Sequence, residues 1–127
     1  MVSSKGATNA FRMSQNHWLA LRKKGDAHKY AYGHAAIISG PLGQGGAARL
    51  AARGALRIGA GAVSLICATD AVLEHAAQVN AVMVKPYICV GKVSEHLISL
   101  NPHAICIGPN LGLTQHSSDL LSRMPLL

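Results

Sequence analysis

The residues of greatest chemical promise lie in two glycine-rich turns, Ser39–Ala47 (SGPLGQGGA) and Ile107–Gly112 (IGPNLG). The first joins a short apolar run to a helix-like stretch. That arrangement sets backbone N–H groups and the positive end of a helix dipole at the carboxyl edge of a sheet, a cradle for phosphate or another anion. Gly43, Gly45 and Gly46 do not give the dinucleotide pattern G-x-G-x-x-G, and no Lys and Ser or Thr follow Gly45 as a Walker A loop requires. Glycines that simply permit a tight strand-to-helix turn explain the pattern equally well. The second turn also follows a strand-like run, which puts it on the same sheet edge. Two such loops face one crevice, where open α/β sheets take their ligands, although Gly-Pro-Asn is also an ordinary turn sequence.

No catalytic constellation is legible. Asp70, Glu74, Glu95 and Asp119 fall outside the strand-end loops near both turns and read as caps or solvated acids. Ser39, Ser64 and Cys67 have no local base and no nucleophile-elbow setting. His28, Lys29 and His34 flank the first strand on its amino side, where pinning the preceding segment is the favoured role over touching an anion. The seven histidines lack ligand spacing, so no metal site is expected. Cys67, Cys89 and Cys106 are odd in number, form no C-x-x-C pair, and read as reduced core cysteines.

The elements that must position these turns follow from periodicity. AAIISG (Ala35–Gly40), GAVSLICAT (Gly61–Thr69) and AICIGP (Ala104–Pro109) read as buried strands. Between the first two, Ala47, Leu50, Ala51, Gly54 and Ile58 recur at helical spacing, with Arg49, Arg53 and Arg57 on another face. This predicts an amphipathic helix over Gly46–Ile58. A second helix is expected after Thr69 and Asp70, either of which can cap it, running through Leu73 and Ala77; a third follows Ser94. Ala81–Val93 is rich in β-branched residues, but Pro86 either demotes it to an edge strand or splits it. LLSRMPLL at the end reads as a helix start cut short by Pro125. The alternation implies right-handed crossovers and a largely parallel sheet, which needs cover on both faces.

Length and composition agree. The chain has 127 residues, 50% of them apolar and few aromatic, which allows one domain with a core and favours an α/β class. Nine of the twelve Lys and Arg lie between Lys5 and Arg57, giving a basic first half within a net charge of +7. The sign alone does not choose among phosphorylated ligand, nucleic acid and anionic membrane, but the basic residues lack the interleaved aromatics of a nucleic-acid surface. Residues 1–26 read as a flexible lead-in or linker without a signal-peptide core, and no stretch is long enough to span a membrane. A cytoplasmic protein with neither nucleic-acid nor membrane partner is expected.

The run DAHKYAYGHAAIISGPLGQGGAARLAARGALRIGAGAVSLICAT, followed by NAVMVKP and AICIGPNLG, resembles the opening of the ADP-dependent NAD(P)H-hydrate dehydratase family, the carbohydrate-kinase-related repair enzymes. The resemblance covers Asp26–Gly112 and implies that residues 27–127 form the N-terminal part of a ribokinase-like three-layer α/β/α domain with a mostly parallel sheet. It further implies a lyase that removes water from the S epimer of hydrated NADH or NADPH (NADHX, NADPHX), using ADP or ATP with Mg²⁺. Homo-oligomers are common in the family, and many members follow an epimerase domain.

Residue by residue, the family's substrate-contacting alanine matches Ala47, preceded by Gly46, and the glycines of its G-P-G loop match Gly108 and Asn110. Asn110 departs from the pattern, and its side chain occupies space where backbone should approach substrate; Tyr30 departs where the family often has glycine. The family's His-Pro-Gly-Glu stretch, its Lys-Gly nucleotide segment and its Gly-Thr-Gly-Asp anion hole with the catalytic acid belong to a second half that the resemblance does not reach, so no catalytic residue is expected here. The reading is a dehydratase by descent, truncated or frameshifted, with weak or no activity alone. The alternatives are a small-molecule kinase of the same superfamily, or a non-catalytic piece whose apolar edge pairs with itself or with a complementing C-terminal half.

Overall fold

The structure, a computed structural model, describes residues 12, 14–23, 25, 28–108 and 110–124. Four strands, β1 (His34–Ile38), β2 (Ala62–Ala68), β3 (Met83–Tyr87) and β4 (Ala104–Cys106), form one sheet in the order β3-β2-β1-β4. Every pairing is parallel, as continuous apolar runs joined by helices require. The helices are α1 (Gln15–Ala20), α2 (Gly46–Arg57), α3 (Val72–Ala76), α4 (Val90–Leu100) and α5 (Gln115–Ser122).

The two-residue period of the strands sorts the core into two halves. Ile37, Val63, Leu65 and Cys67 turn toward α2 and meet its Ala48 and Ala52. Ala36, Ile38, Ile66 and Tyr87 turn the other way, against Val93 and Leu97 of α4 and Leu120 of α5. Helices on both faces make three layers, α/β/α, as expected. The cover stops short of β4 on the α2 side, where an apolar groove of about 670 Å³ runs past Ile37, Ala51, Ala55, Ile58, Ile105 and Cys106.

The α2 prediction holds to within a residue of its end. Its arginine face is used: the Arg53 guanidinium donates to the Gln78 carbonyl at 2.8 Å, and Arg49 pairs with Glu74. Of the two alternatives for Ala81–Val93, the edge strand is found. Pro86 lies in β3, whose partner among the described residues is β2, so its missing N–H costs no ladder bond between two neighbours.

Several boundaries differ. α4 begins at Val90, ahead of the expected start after Ser94, because the chain leaves the sheet at Tyr87 and the last residues of the β-branched run join the helix. Thr69–Ala71 form a 3-10 turn before the short α3, and neither Thr69 nor Asp70 caps it; the Thr69 hydroxyl donates to the Tyr87 carbonyl at 3.1 Å. The closing helix runs from Gln115, with the Thr114 hydroxyl accepting from the Ser117 amide. Pro125, the expected stop, lies outside the described residues, as do Pro109 and most of 1–26. Within that lead-in, Gln15–Ala20 are helical rather than featureless.

Candidate functional site

In the strand order β3-β2-β1-β4, the connection leaving β1 goes to one side of it, while the chain returns on the other side as β4. The gap beyond the carboxyl ends of β1 and β4 is therefore a topological switch point, where loops diverge and leave room for a ligand. Both glycine turns lie there and touch. A β-carbon on Gly40 would overlap the backbone oxygen of Asn110, so only glycine lets the loop after β1 pass the loop after β4.

Gly46 opens α2 and Ala47 follows it, half-buried, at positions whose amides have no acceptor within the helix. Across the crevice, Gly108 (φ +140°) and Asn110 (φ +61°) are exposed. Asn110 keeps the left-handed turn that glycine would supply, at the steric cost an L residue carries there. Of the four residues singled out by sequence, two thus open the helix that follows the first glycine turn and two lie on the loop after β4, and these two loops are in contact at one sheet edge.

One acid has more contacts than its sequence reading allowed, and a neighbouring histidine was not singled out at all. Glu74 is not merely solvated: its carboxylate accepts the Gly43 amide at 2.7 Å and pairs with the Arg49 guanidinium at 2.6 Å. These two hydrogen bonds hold the carboxyl below its ordinary range, the one from Arg49 counting more. His75, next to it, is fully buried, and its Nε2 lies 2.9 Å from the Ser39 hydroxyl. That hydroxyl also donates to the Gly40 carbonyl at 3.1 Å, so Nε2–H must be the donor to Ser39. The opposite tautomer would leave an N–H at Nδ1, which has no partner, and burying an unpaired donor is costly. Burial holds the imidazole below its usual pKa, Arg49 adds to the effect, and Glu74 opposes it. The ring also fixes Gly45, where a β-carbon would overlap its Cε1.

Ser39 and Ser64, taken to lack a base, therefore each meet a histidine. The Ser64 hydroxyl lies 2.9 Å from His34 Nε2, at the amino end of β1 and away from the crevice. His34 belongs to β1 and is buried, so it pins strand to strand rather than the lead-in; its amide donates to His103 Nδ1 at 3.2 Å. Of the cysteines, Cys67 is buried, Cys106 half-buried and Cys89 exposed, so Cys89 is not a core residue. Among the described residues no group of three or more His, Cys, Asp or Glu is placed to hold a metal ion.

A family model described as NAD(P)H-hydrate dehydratase matches residues 35–124, a span that includes both glycine turns. The chain belongs to that family. The bifunctional NAD(P)H-hydrate repair enzyme Nnr of Coxiella burnetii is 31% identical over 106 residues, covering 84% of this chain. The chain spans only 21% of that relative's length. Two solved structures share the fold: a ribokinase-like superfamily protein from Enterococcus faecalis (TM-score 0.61, 22% identity) and a hypothetical protein from Streptococcus mutans (TM-score 0.65, 20% identity). They cover 82% and 81% of this chain, which in turn covers 37% and 38% of theirs. The loops at the switch point lie inside the matched span and are the candidate site.

Proposed function

We propose that this chain is the N-terminal part of an ADP- or ATP-dependent (S)-NAD(P)H-hydrate dehydratase, contributing Gly46, Ala47, Gly108 and Asn110 to the hydrate site. The observation that carries the reading is the contact of both glycine turns at the switch point, inside the span that matches the family. The amides opening α2 are donors for an anionic or carbonyl oxygen of the substrate. Gly108 has open space around its α-carbon on the opposite loop, where Asn110 stands in place of the second glycine of the family loop.

When bound, the nucleotide would supply the phosphoryl group that turns the hydrate's hydroxyl into a leaving group, which would depart as phosphate. Mg²⁺ would arrive on the nucleotide's phosphates, since the described residues offer no ligand cluster of their own. Glu74, the acid whose contacts reach the first glycine turn, is taken by Gly43 and Arg49. Alone, the 127 residues are weakly active or inactive, because a general acid–base and an oxyanion-type holder are both needed for the step. The substrate is a soluble dinucleotide, which suits the cytoplasm.

The uncovered groove beside β4 favours one further reading: a non-catalytic assembly piece that pairs with a complementing C-terminal half or with its own copy. Turnover of S-hydrated NADPH with ADP and Mg²⁺ separates the readings, measured for the chain alone and mixed with a C-terminal half from the family. Activity in the mixture alone supports a complementing fragment. Activity of the chain alone overturns the inactivity part, and silence together with no binding of the hydrate overturns the dehydratase reading.

A further inference from the structure

α3 touches the candidate site from behind. Glu74 and His75 are adjacent in sequence, yet they reach different parts of the first glycine turn. Glu74 holds Gly43 through its amide and α2 through Arg49, with bonds of 2.7 and 2.6 Å. His75 packs against Gly45, the residue preceding α2, and continues through Ser39 to the Gly40 carbonyl. Gly40 is in turn the point at which the turn meets Asn110. His75 thereby holds the turn near both of its ends and Glu74 holds it at Gly43 in the middle, a glycine-rich stretch otherwise free to choose among conformations.

We propose that Glu74 and His75 are positioning residues for the hydrate site: they set the direction of the Gly46 and Ala47 amides without touching the ligand. The inference rests on the site reading above and adds to it two residues on α3. Preorganised donors bind more tightly than donors that must be ordered on binding, so loosening the clamp weakens binding while the amides themselves remain. The charged groups around His75 are Arg49 on α2 and Glu74 on α3. Protonating the ring would put a buried N–H on Nδ1 with no acceptor.

The test uses the 127-residue chain and two readouts, the amide NMR shifts of Gly43, Gly45, Gly46 and Ala47 without ligand, and a titration with NADPH. His75→Gln keeps a donor at the Nε2 position, whereas His75→Leu and Glu74→Ala do not. In the free chain, His75→Leu and Glu74→Ala should move the four amides and His75→Gln should leave them near their original shifts. With NADPH, the two disruptive variants should bind about tenfold more weakly, the scale of one lost hydrogen bond, and His75→Gln should bind as the parent does. Unmoved amides in folded His75→Leu, or unchanged affinity in both disruptive variants, overturn the clamp. If the parent does not bind NADPH, the site reading fails and the free-chain shifts alone decide the clamp. If His75→Leu does not fold, Glu74→Ala carries the same two comparisons.

Discussion

The backbone oxygen of Asn110 stands where a β-carbon on Gly40 would be, and this contact joins the loop after β1 to the loop after β4. Gly40→Ala should therefore force the two loops apart and cost about 1–3 kcal/mol, as overpacking at a fixed backbone does. Gly54, in the middle of α2, has open space around its α-carbon. Gly54→Ala should stabilise by about 0.5–1 kcal/mol through helix propensity alone. Urea midpoints of the two variants should move in opposite directions.

Acid should weaken the fold already near neutrality. His34 and His75 are both held below the ordinary value of 6.5, chiefly by burial. The unfolded chain then binds protons that the folded chain refuses, so stability is complete above about 6.5 and falls as the pH drops below it. Glu74, lowered from 4.5 by its hydrogen bonds, adds a separate loss below that value. Urea midpoints at pH 8, 7, 6 and 5 should show the first decline between 7 and 5, and His75→Gln should flatten part of it. A midpoint constant over that range would contradict the burial of both rings.

Thiol chemistry should separate the cysteines. Burial, with smaller contributions from Asp70 and Glu74, pushes the Cys67 thiol up to about 11, and the thiolate is the reactive form. Cys89 is exposed. At pH 8 a disulfide reagent should modify Cys89 rapidly and Cys67 only after denaturant is added, as peptide mapping would read.

Asn110 holds a left-handed conformation at φ +61°. Asn110→Gly should relieve a cost on the order of 1 kcal/mol, raising the melting temperature slightly. If Asn110 lines the hydrate site as proposed, hydrate binding should also tighten. A lower melting temperature would mean that the asparagine side chain makes a stabilising contact.

The sheet was legible because Ala35–Gly40, Gly61–Thr69 and Ala104–Pro109 are apolar throughout, the mark of strands buried on both faces, and α2 because its arginines and alanines alternate at helical spacing. The clamp was missed for a reason that lies in the same logic. In a parallel sheet every strand delivers its next residues to the same rim, so Thr69–His75, following β2, were bound to lie beside the turn after β1. Thirty residues separate Gly45 from His75, and no local spacing rule spans that distance. The start of α4 was hidden differently: Val90 and Val93 fit a strand by type, and the contacts that make them helical come from α5 and the sheet.

The pairing of β1 carries a consequence for the order in which the molecule is made. His34 meets Ala62, 28 residues on, whereas Ala35 meets Ala104, 69 residues on. Closing the larger loop costs more chain entropy and is rewarded later. Strands β1 and β2 with α2 between them can collapse as a local unit. The crevice between Gly40 and Asn110 comes into being only when β4 docks, so a ligand bound there stabilises the most distant pairing in the sheet and reports that folding has finished.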